Sequence, residues 1–371
     1  MTMKILIGLT YYKPNISGVT EYASILAEEL KKRKYQVKII TAKFNNDLKS
    51  EKNIKRINGF KLNKGFVMPT YFYESINSVK WADVVNCHLP SIESFWLAIW
   101  AKFFKKKLIV THHCEFQING NFSNILIGIL TYPIHFLVYL LADKIVAYTK
   151  DYAKTSIFLR FFKNKIVYVL PPIKVNKSTP NPSFEKRRGE IIKDNEKVVG
   201  FVGRIGWEKG LSYLIEAMKN VEAKLILVGP YKEVVGDETY EKLKKVIDNK
   251  VTFYGPMVHD DLKSFYNVCD CLVLPSINNL ETFGIVQAEA MKCGVPVVAS
   301  NLPGVRVPIQ MTGMGEICNI KDSGDLEKKI KLVLKNGKKY YQDKAVNLEE
   351  FDYLKTIDFY EKLILWGDRR Q

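Results

Sequence analysis

Apolar, β-branched runs recur along the chain, and most are followed by a stretch with helical spacing of its apolar positions. The first run, KILIGL (4–9), leads through the loop TYYKPNISGV into a helical stretch from Thr20 to about Lys34. QVKIITA (36–42), ADVVNCH (82–88), KLIVTHH (107–113) and KIVAYT (144–149) repeat the pattern, with a helix expected over 91–104, and KIVYVLPP (165–172) closes the first half. Continuous rather than alternating apolar strands imply burial on both faces, so the pattern predicts a mostly parallel, doubly wound α/β sheet.

Residues 174–196 are polar and hold Pro180 and Pro182, which marks a linker. The alternation then restarts with VVGFVGR (198–204), AKLILVGP (223–230), VTFYGP (251–256), DCLVLPS (270–276), VPVVAS (295–300) and GEICNI (315–320). Helices are expected over 211–219, 238–248, 260–268, 284–292 and 325–335. The expected organisation is an acceptor-side domain over 1–173, the linker, a second doubly wound domain over 197–347, and a C-terminal helical segment, 348–371, packing back on the first domain. Two such sheets would face each other across a cleft at their carboxyl ends, where open α/β sheets bind ligands.

Composition sharpens this in two ways. Residues 1–180 hold 27 Lys and Arg against 11 Asp and Glu, whereas 181–371 hold 29 against 28. Basic, aromatic segments such as AKFFKKK (101–107) and FLRFFKNK (158–165) fit contact with an anionic membrane surface better than a groove that tracks nucleic acid. The segment 125–142, ILIGILTYPIHFLVYLLA, has the length of a membrane span but is interrupted by Pro133, His135 and two tyrosines. It reads as buried or interfacial helix. The six cysteines form no C-x-x-C pair, and the N-terminus has no extended signal core; the expected location is cytoplasmic, peripherally membrane-associated.

Chemistry concentrates in two places of the second half. The loop GRIGWEKG (203–210) offers three glycines for close approach to a ligand and two cations, Arg204 and Lys209, suited to a diphosphate. The stretch ETFGIVQAE (281–289) places Glu281 just ahead of a helix and Glu289 inside it. Between them lie the amides of Phe283, Gly284 and Ile285, at a helix start where anions bind. A carboxylate accepts paired sugar hydroxyls well, so the two acids could hold a sugar and a ribose on either side of a phosphate site.

Together, E-x7-E followed by AMKCGVPVVAS, with VGRIGWEKG and the N-terminal YYKPNISGVTEYASILAEEL, resembles the GT-B glycosyltransferases, most closely the large retaining family 4, over some 300 residues in family order. The resemblance implies two Rossmann-like domains and a nucleoside-diphosphate sugar bound mainly by the second. It assigns Arg204 and Lys209 to the diphosphate, Glu281 to sugar hydroxyls, Glu289 to the ribose, and Met257 and Val258 to the base. Phe283, Gly284 and Ile285 would contribute backbone contacts to sugar and phosphate. Gly18 matches the loop glycine near the diphosphate, and His113 the histidine near the sugar, with His112 as the alternative. The catalytic set implied is His113, Glu281, Arg204 and Lys209. Departures are Ser17-Gly18 in place of Gly-Gly, LPPIKV ahead of the linker, and no acidic residue after the Gly-Val-Arg run.

The expected function is therefore retaining hexosyl transfer from a nucleotide sugar, UDP-sugar or GDP-mannose, to a lipid-linked glycan or glycolipid at the cytosolic membrane face. Its rivals are the same fold acting on a soluble acceptor and a non-catalytic nucleotide-binding subunit of a glycan-assembly complex. The expected partners are the nucleotide sugar, a glycan or lipid-linked acceptor and the anionic surface, with no nucleic acid. No cofactor is expected, the nucleotide sugar being a co-substrate. No metal is expected either: the chain contains no D-x-D tripeptide, so the cations and the helix start would meet the diphosphate instead. Turnover is accordingly expected to survive EDTA; a strict Mg2+ or Mn2+ requirement in the same assay would refute it.

Overall fold

The structure, a computed structural model, describes residues 2–15, 17–45, 51–62, 65–115, 122–175, 189–231, 238–257 and 261–367. It divides into two units, Met1–Pro172 with Tyr353–Gln371, and Ile173–Asp352. Of the polar segment 174–196, residues 176–188 lie outside the described part, and 189–191 are helical.

In the first unit, β1 (Lys4–Gly8), β2 (Gln36–Ala42), β3 (Ile54–Ile57), β6 (Val84–Leu89), β7 (Lys107–His112), β8 (Lys144–Ala147) and β9 (Ile166–Tyr168) form one sheet in the order β3-β2-β1-β6-β7-β8-β9. Every neighbouring pair is parallel. Strand β6 is buried at all of its positions, an apolar run interrupted by Asn86 and His88, as coverage by helices on both faces favours. The helix Gly18–Lys32 follows β1. Ser17 caps it by accepting from the Thr20 amide, Glu21 lies in its first turn, and Lys31 and Lys32 close its last, all favourable to the helix dipole.

The helices Tyr71–Trp81, Ser94–Phe103 and Phe122–Leu141 pack successively against one another. The long apolar stretch is thus one helix with Pro133 inside it, and no helix among the described residues is long and apolar enough to cross a membrane. The closing helix Tyr353–Leu365 belongs to this unit: Tyr35 Oη donates to Glu361 at 2.8 Å, and Tyr360 meets Tyr22. Strand β3, the short antiparallel pair β4 (Phe60–Leu62) and β5 (Gly65–Val67), and the helix Tyr71–Trp81 were not expected from the hydrophobic pattern.

The second unit carries β10 (Val198–Val202), β11 (Lys224–Val228), β12 (Val251–Gly255), β13 (Cys271–Leu274), β14 (Val297–Ser300) and β15 (Gly315–Cys318). Their order, β12-β11-β10-β13-β14-β15, is all parallel and reverses direction between β10 and β13. That reversal leaves a crevice at the carboxyl ends of these two strands. The segment Ser323–Lys344 is two helices broken at Gly337 (φ 75°, ψ 165°); the expected 325–335 corresponds to the first, and the second was not expected.

Candidate functional site in the second unit and the polar core of the first

Glycine makes the loop after β10 possible. Gly203 (φ 153°) turns the chain, and a Cβ on Gly229 (φ 142°) would lie 2.0 Å from the Gly203 carbonyl oxygen. The Gly203 amide donates to Val228 O at 2.9 Å and the Ile205 amide to Pro230 O at 3.0 Å, tying this loop to the one after β11. A second constraint comes from β13. Gly210 (φ 66°) passes so close beneath Pro275 that a Cβ would lie 2.1 Å from its carbonyl oxygen, and the Ile277 amide donates to Glu208 O at 3.0 Å. Both loops at the strand-order reversal are therefore held as one piece.

That piece brings three of the expected residues together. Lys209 Nζ lies 2.6 Å from Glu281 Oε2, with the two side chains only 21% and 16% exposed. Arg204 is paired with the buried carboxylate of Glu208 and keeps nearly half of its side chain exposed. Glu208 was not singled out in the sequence, although it lies inside the quoted loop; an acid between two cations there gives no signal of its burial. Each cation thus has a carboxylate partner and further N–H groups available to an anion.

Past Glu281 the chain is locked from inside. Phe283 is buried edge-on against Phe351, and Gly284 (φ 75°) starts the helix Ile285–Lys292 where a Cβ would lie 2.3 Å from Leu274 Cδ2. Gln287, fully buried, donates to Phe283 O at 2.7 Å and Val305 O at 3.0 Å, which fixes the helix start against the loop after β14. The sequence reading also passed over Gln287. The first amides of any helix lack intrahelical acceptors, so this start is a fixed set of donors. Glu289 is buried further along and accepts from Tyr266 Oη at 2.7 Å, on the flank facing the helix Leu262–Val268. Met257 is half-buried just after β12; Val258 lies outside the described residues.

In the first unit, Gly18 is the exposed first residue of its helix. The paired histidines leave β7 on opposite sides, as neighbouring residues of a strand do. His112 Nδ1 meets Tyr139 Oη at 2.5 Å, toward the helix Phe122–Leu141. His113 turns toward Tyr22, whose ring meets it edge-on at 5.0 Å. His113 Nδ1 bonds Tyr148 Oη, and its Nε2 lies 2.8 Å from His88 Nδ1. From His88 the contacts continue to Asn86 Nδ2 (3.3 Å), and Asn86 Oδ1 accepts from Thr111 Oγ1 (3.0 Å). Thr111 Oγ1 is 2.7 Å from Tyr360 Oη, which is 2.9 Å from Tyr22 Oη. Of this chain only His113 was anticipated; Tyr148 and Tyr360 lie far along the sequence and carry no motif.

The sequence and the fold match known proteins. Residues 16–177 match the family model described as Glycosyltransferase Family 4, and residues 183–347 the model described as Glycosyl transferases group 1. Among solved structures, Anabaena HepE in complex with UDP is similar at a TM-score of 0.75 and 18% identity, covering 98% of this chain and 99% of that one. WaaG, a glycosyltransferase involved in lipopolysaccharide biosynthesis, is similar at a TM-score of 0.63 and 15% identity, covering 98% and 100%. The fold is that of the GT-B glycosyltransferases. With the two models together taking in both units, the chain belongs to glycosyltransferase family 4. A curated relative, the uncharacterised glycosyltransferase MJ1607 of Methanocaldococcus jannaschii, is 38% identical over 125 residues, 32% of this chain and 31% of the relative. A D-inositol 3-phosphate glycosyltransferase of Mycobacterium sp. (strain JLS) is 29% identical over 202 residues, 53% of this chain and 46% of the relative. In these two the chain spans less than half the length of the relative it matches.

Burial holds the histidines of the first unit neutral. It lowers His88 and His112 from 6.5 to about 3 and His135 to about 4, and it lowers His113 well below 6.5 with His88 and His112 adding to the effect. Unfolding exposes these groups to protonation below about 6.5, so the unfolded chain binds more protons, and stability falls as pH falls through that window. Glu93 and Glu115, raised by burial, act in the opposite sense nearer the carboxylate range. Thermal stability is therefore expected to fall between pH 7 and about 5.5, with the four histidines taking up between about three and four protons per chain on unfolding near pH 5.5. A midpoint independent of pH over that interval would contradict neutral burial.

Proposed function

We propose that the chain is a retaining glycosyltransferase that moves a hexose from a nucleoside-diphosphate sugar, a UDP-sugar in preference to GDP-mannose, to a lipid-linked glycan or glycolipid. The observation that carries the reading is the Lys209–Glu281 ion pair, held with Arg204 in one rigid loop assembly at the strand-order reversal beside a helix start. The UDP and UDP-glucose complexes of Anabaena HepE support the uridine donor.

In this reading Arg204 and Lys209 bind the diphosphate and stabilise the charge that grows as it leaves. Glu281 accepts from hydroxyls of the transferred sugar and keeps the Lys209 ammonium oriented. The amides of Phe283, Gly284 and Ile285 complete the anion site, Glu289 takes the ribose, and the backbone at Met257 and Val258 meets the base. In the first unit, the resemblance assigns Gly18 to the diphosphate and His113 to the sugar. The donor phosphate helps to deprotonate the acceptor hydroxyl on the same face, so configuration is retained without a metal.

A membrane-borne acceptor is supported by exposed apolar side chains on three successively packed helices of the first unit, Tyr73, Phe103, Ile129 and Leu140, and by exposed Phe161, which meets the ring of Phe136. Lys80 and Lys102 lie on two of these helices and Lys105 and Lys106 just after the second, a composition that suits an anionic interface on the cytoplasmic side. A soluble acceptor is the second reading, supported by relatives named D-inositol 3-phosphate glycosyltransferase.

Three measurements test these points. In a thermal-shift panel, UDP-sugars are expected to raise the midpoint more than GDP- or ADP-sugars. Glu281→Gln and Lys209→Met are each expected to lower transfer about 100-fold or more with folding intact; unchanged transfer in Glu281→Gln would favour a non-catalytic subunit. Sedimentation with liposomes tests the surface: binding should need acidic lipid and weaken with salt, and equal partitioning onto neutral vesicles at low salt would remove its electrostatic basis.

A further inference from the structure

We infer that the buried chain from Tyr22 to Tyr148 runs in a single direction and fixes His113 as the Nδ1–H tautomer, with His88, Asn86 and Tyr360 as positioning residues for the transfer reaction. The direction follows from donor and acceptor inventories. The Thr111 hydroxyl donates to Asn86 Oδ1, so the amide nitrogen of Asn86 faces His88 Nε2 and donates to it. A neutral imidazole has one donor and one acceptor, so His88 carries its proton on Nδ1 and donates to His113 Nε2 across 2.8 Å. His113 then carries its own proton on Nδ1 and donates to Tyr148.

Upstream, Thr111 has spent its proton on Asn86, so at 2.7 Å it accepts from Tyr360, and Tyr360 in turn accepts from Tyr22 at 2.9 Å. All seven side chains are buried, which excludes the water that would let the tautomers exchange. The same bonds occupy both ring nitrogens of His113. Its contribution is therefore a fixed ring and a fixed strand end, with no lone pair left to take a substrate proton. The closing helix, through Tyr360, sets the chemistry of a strand end more than two hundred residues earlier in sequence.

The functional half of this proposal rests on His113 lying at the donor sugar, as proposed above; the tautomer itself does not. Histidine-selective 15N labelling of the full chain reads the tautomer directly. Protonated Nδ1 and unprotonated Nε2 are expected for both His88 and His113 at neutral pH, and protonated Nε2 on His113 overturns the proposal whatever the activity. His88→Asn keeps an N–H at the Nδ1 position for His113 Nε2 and should hold both the tautomer and kcat within about threefold of the parent. His88→Leu should let the His113 signals shift between tautomers and lower kcat about 10-fold or more, with the donor KM little changed. Equal kcat in the Leu and Asn variants would refute the positioning role. Should His88→Leu fail to fold, Tyr360→Phe, which deletes one buried oxygen, is expected to show the same loss in smaller degree. Wild-type His113 spectra in Tyr360→Phe together with wild-type kcat would remove Tyr360 from the relay.

Discussion

The second unit depends on the close passage of two loops, in which Gly210 runs under the Pro275 carbonyl and Ile277 bonds Glu208. A side chain at position 210 would need both a left-handed backbone and space already filled by a carbonyl oxygen, so the passage exists only with glycine there. Because of it, Lys209 and Glu281, 72 residues apart, share an ion pair. Such a pair is poor stabilisation: removing two charges from water costs about what their attraction returns. Its value lies in geometry. A lysine held by one carboxylate, in a loop that cannot relax, presents its remaining donors in a fixed direction, which a diphosphate can meet without reorganising the protein.

The first unit solves a different problem. Its core contains histidines, tyrosines, a threonine and an asparagine, several of them set within β6 and β7, strands that are otherwise largely apolar. Leaving any of these atoms unpaired would cost about 1–3 kcal/mol, so they are arranged as a closed sequence of donors and acceptors. Burial keeps the rings neutral, and neutrality makes a one-directional sequence possible, since a charged imidazole has no acceptor to offer. Part of that sequence comes from the closing helix Tyr353–Leu365, so the end of the chain helps to complete a core laid down by its beginning.

Much of this architecture was legible in the sequence because parallel strands covered on both faces are predominantly apolar: β13 is so at every position, and β6 at all but Asn86 and His88. The loops bearing Arg204, Lys209 and Glu281 were legible because glycine, paired cations and a helix start leave local marks. What could not be read had no local mark. β3, β4 and β5 are too short to stand out, and nothing local marked the second helix that follows the break at Gly337. Glu208 and Gln287 look like surface residues until the fold buries them. Strand alternation puts His112 and His113 on opposite sides, but only the positions of Tyr139 and Tyr148 decide which side each takes.

The basic excess of the first half has a structural character that its count alone does not convey. Several of its lysines sit over aromatic rings: Lys38 at 4.2 Å from the Trp81 ring, Lys80 at 5.2 Å from Phe104, and Lys144 at 4.8 Å from Trp366. An ammonium so placed keeps its stem against apolar surface and its head in water. A groove that follows phosphates along a strand needs cations projecting outward in a row, whereas a lysine over a ring pairs its charge with apolar surface. In the membrane-bound reading proposed above, such pairs and the 70% accessible Phe103 would face negative headgroups and acyl chains respectively.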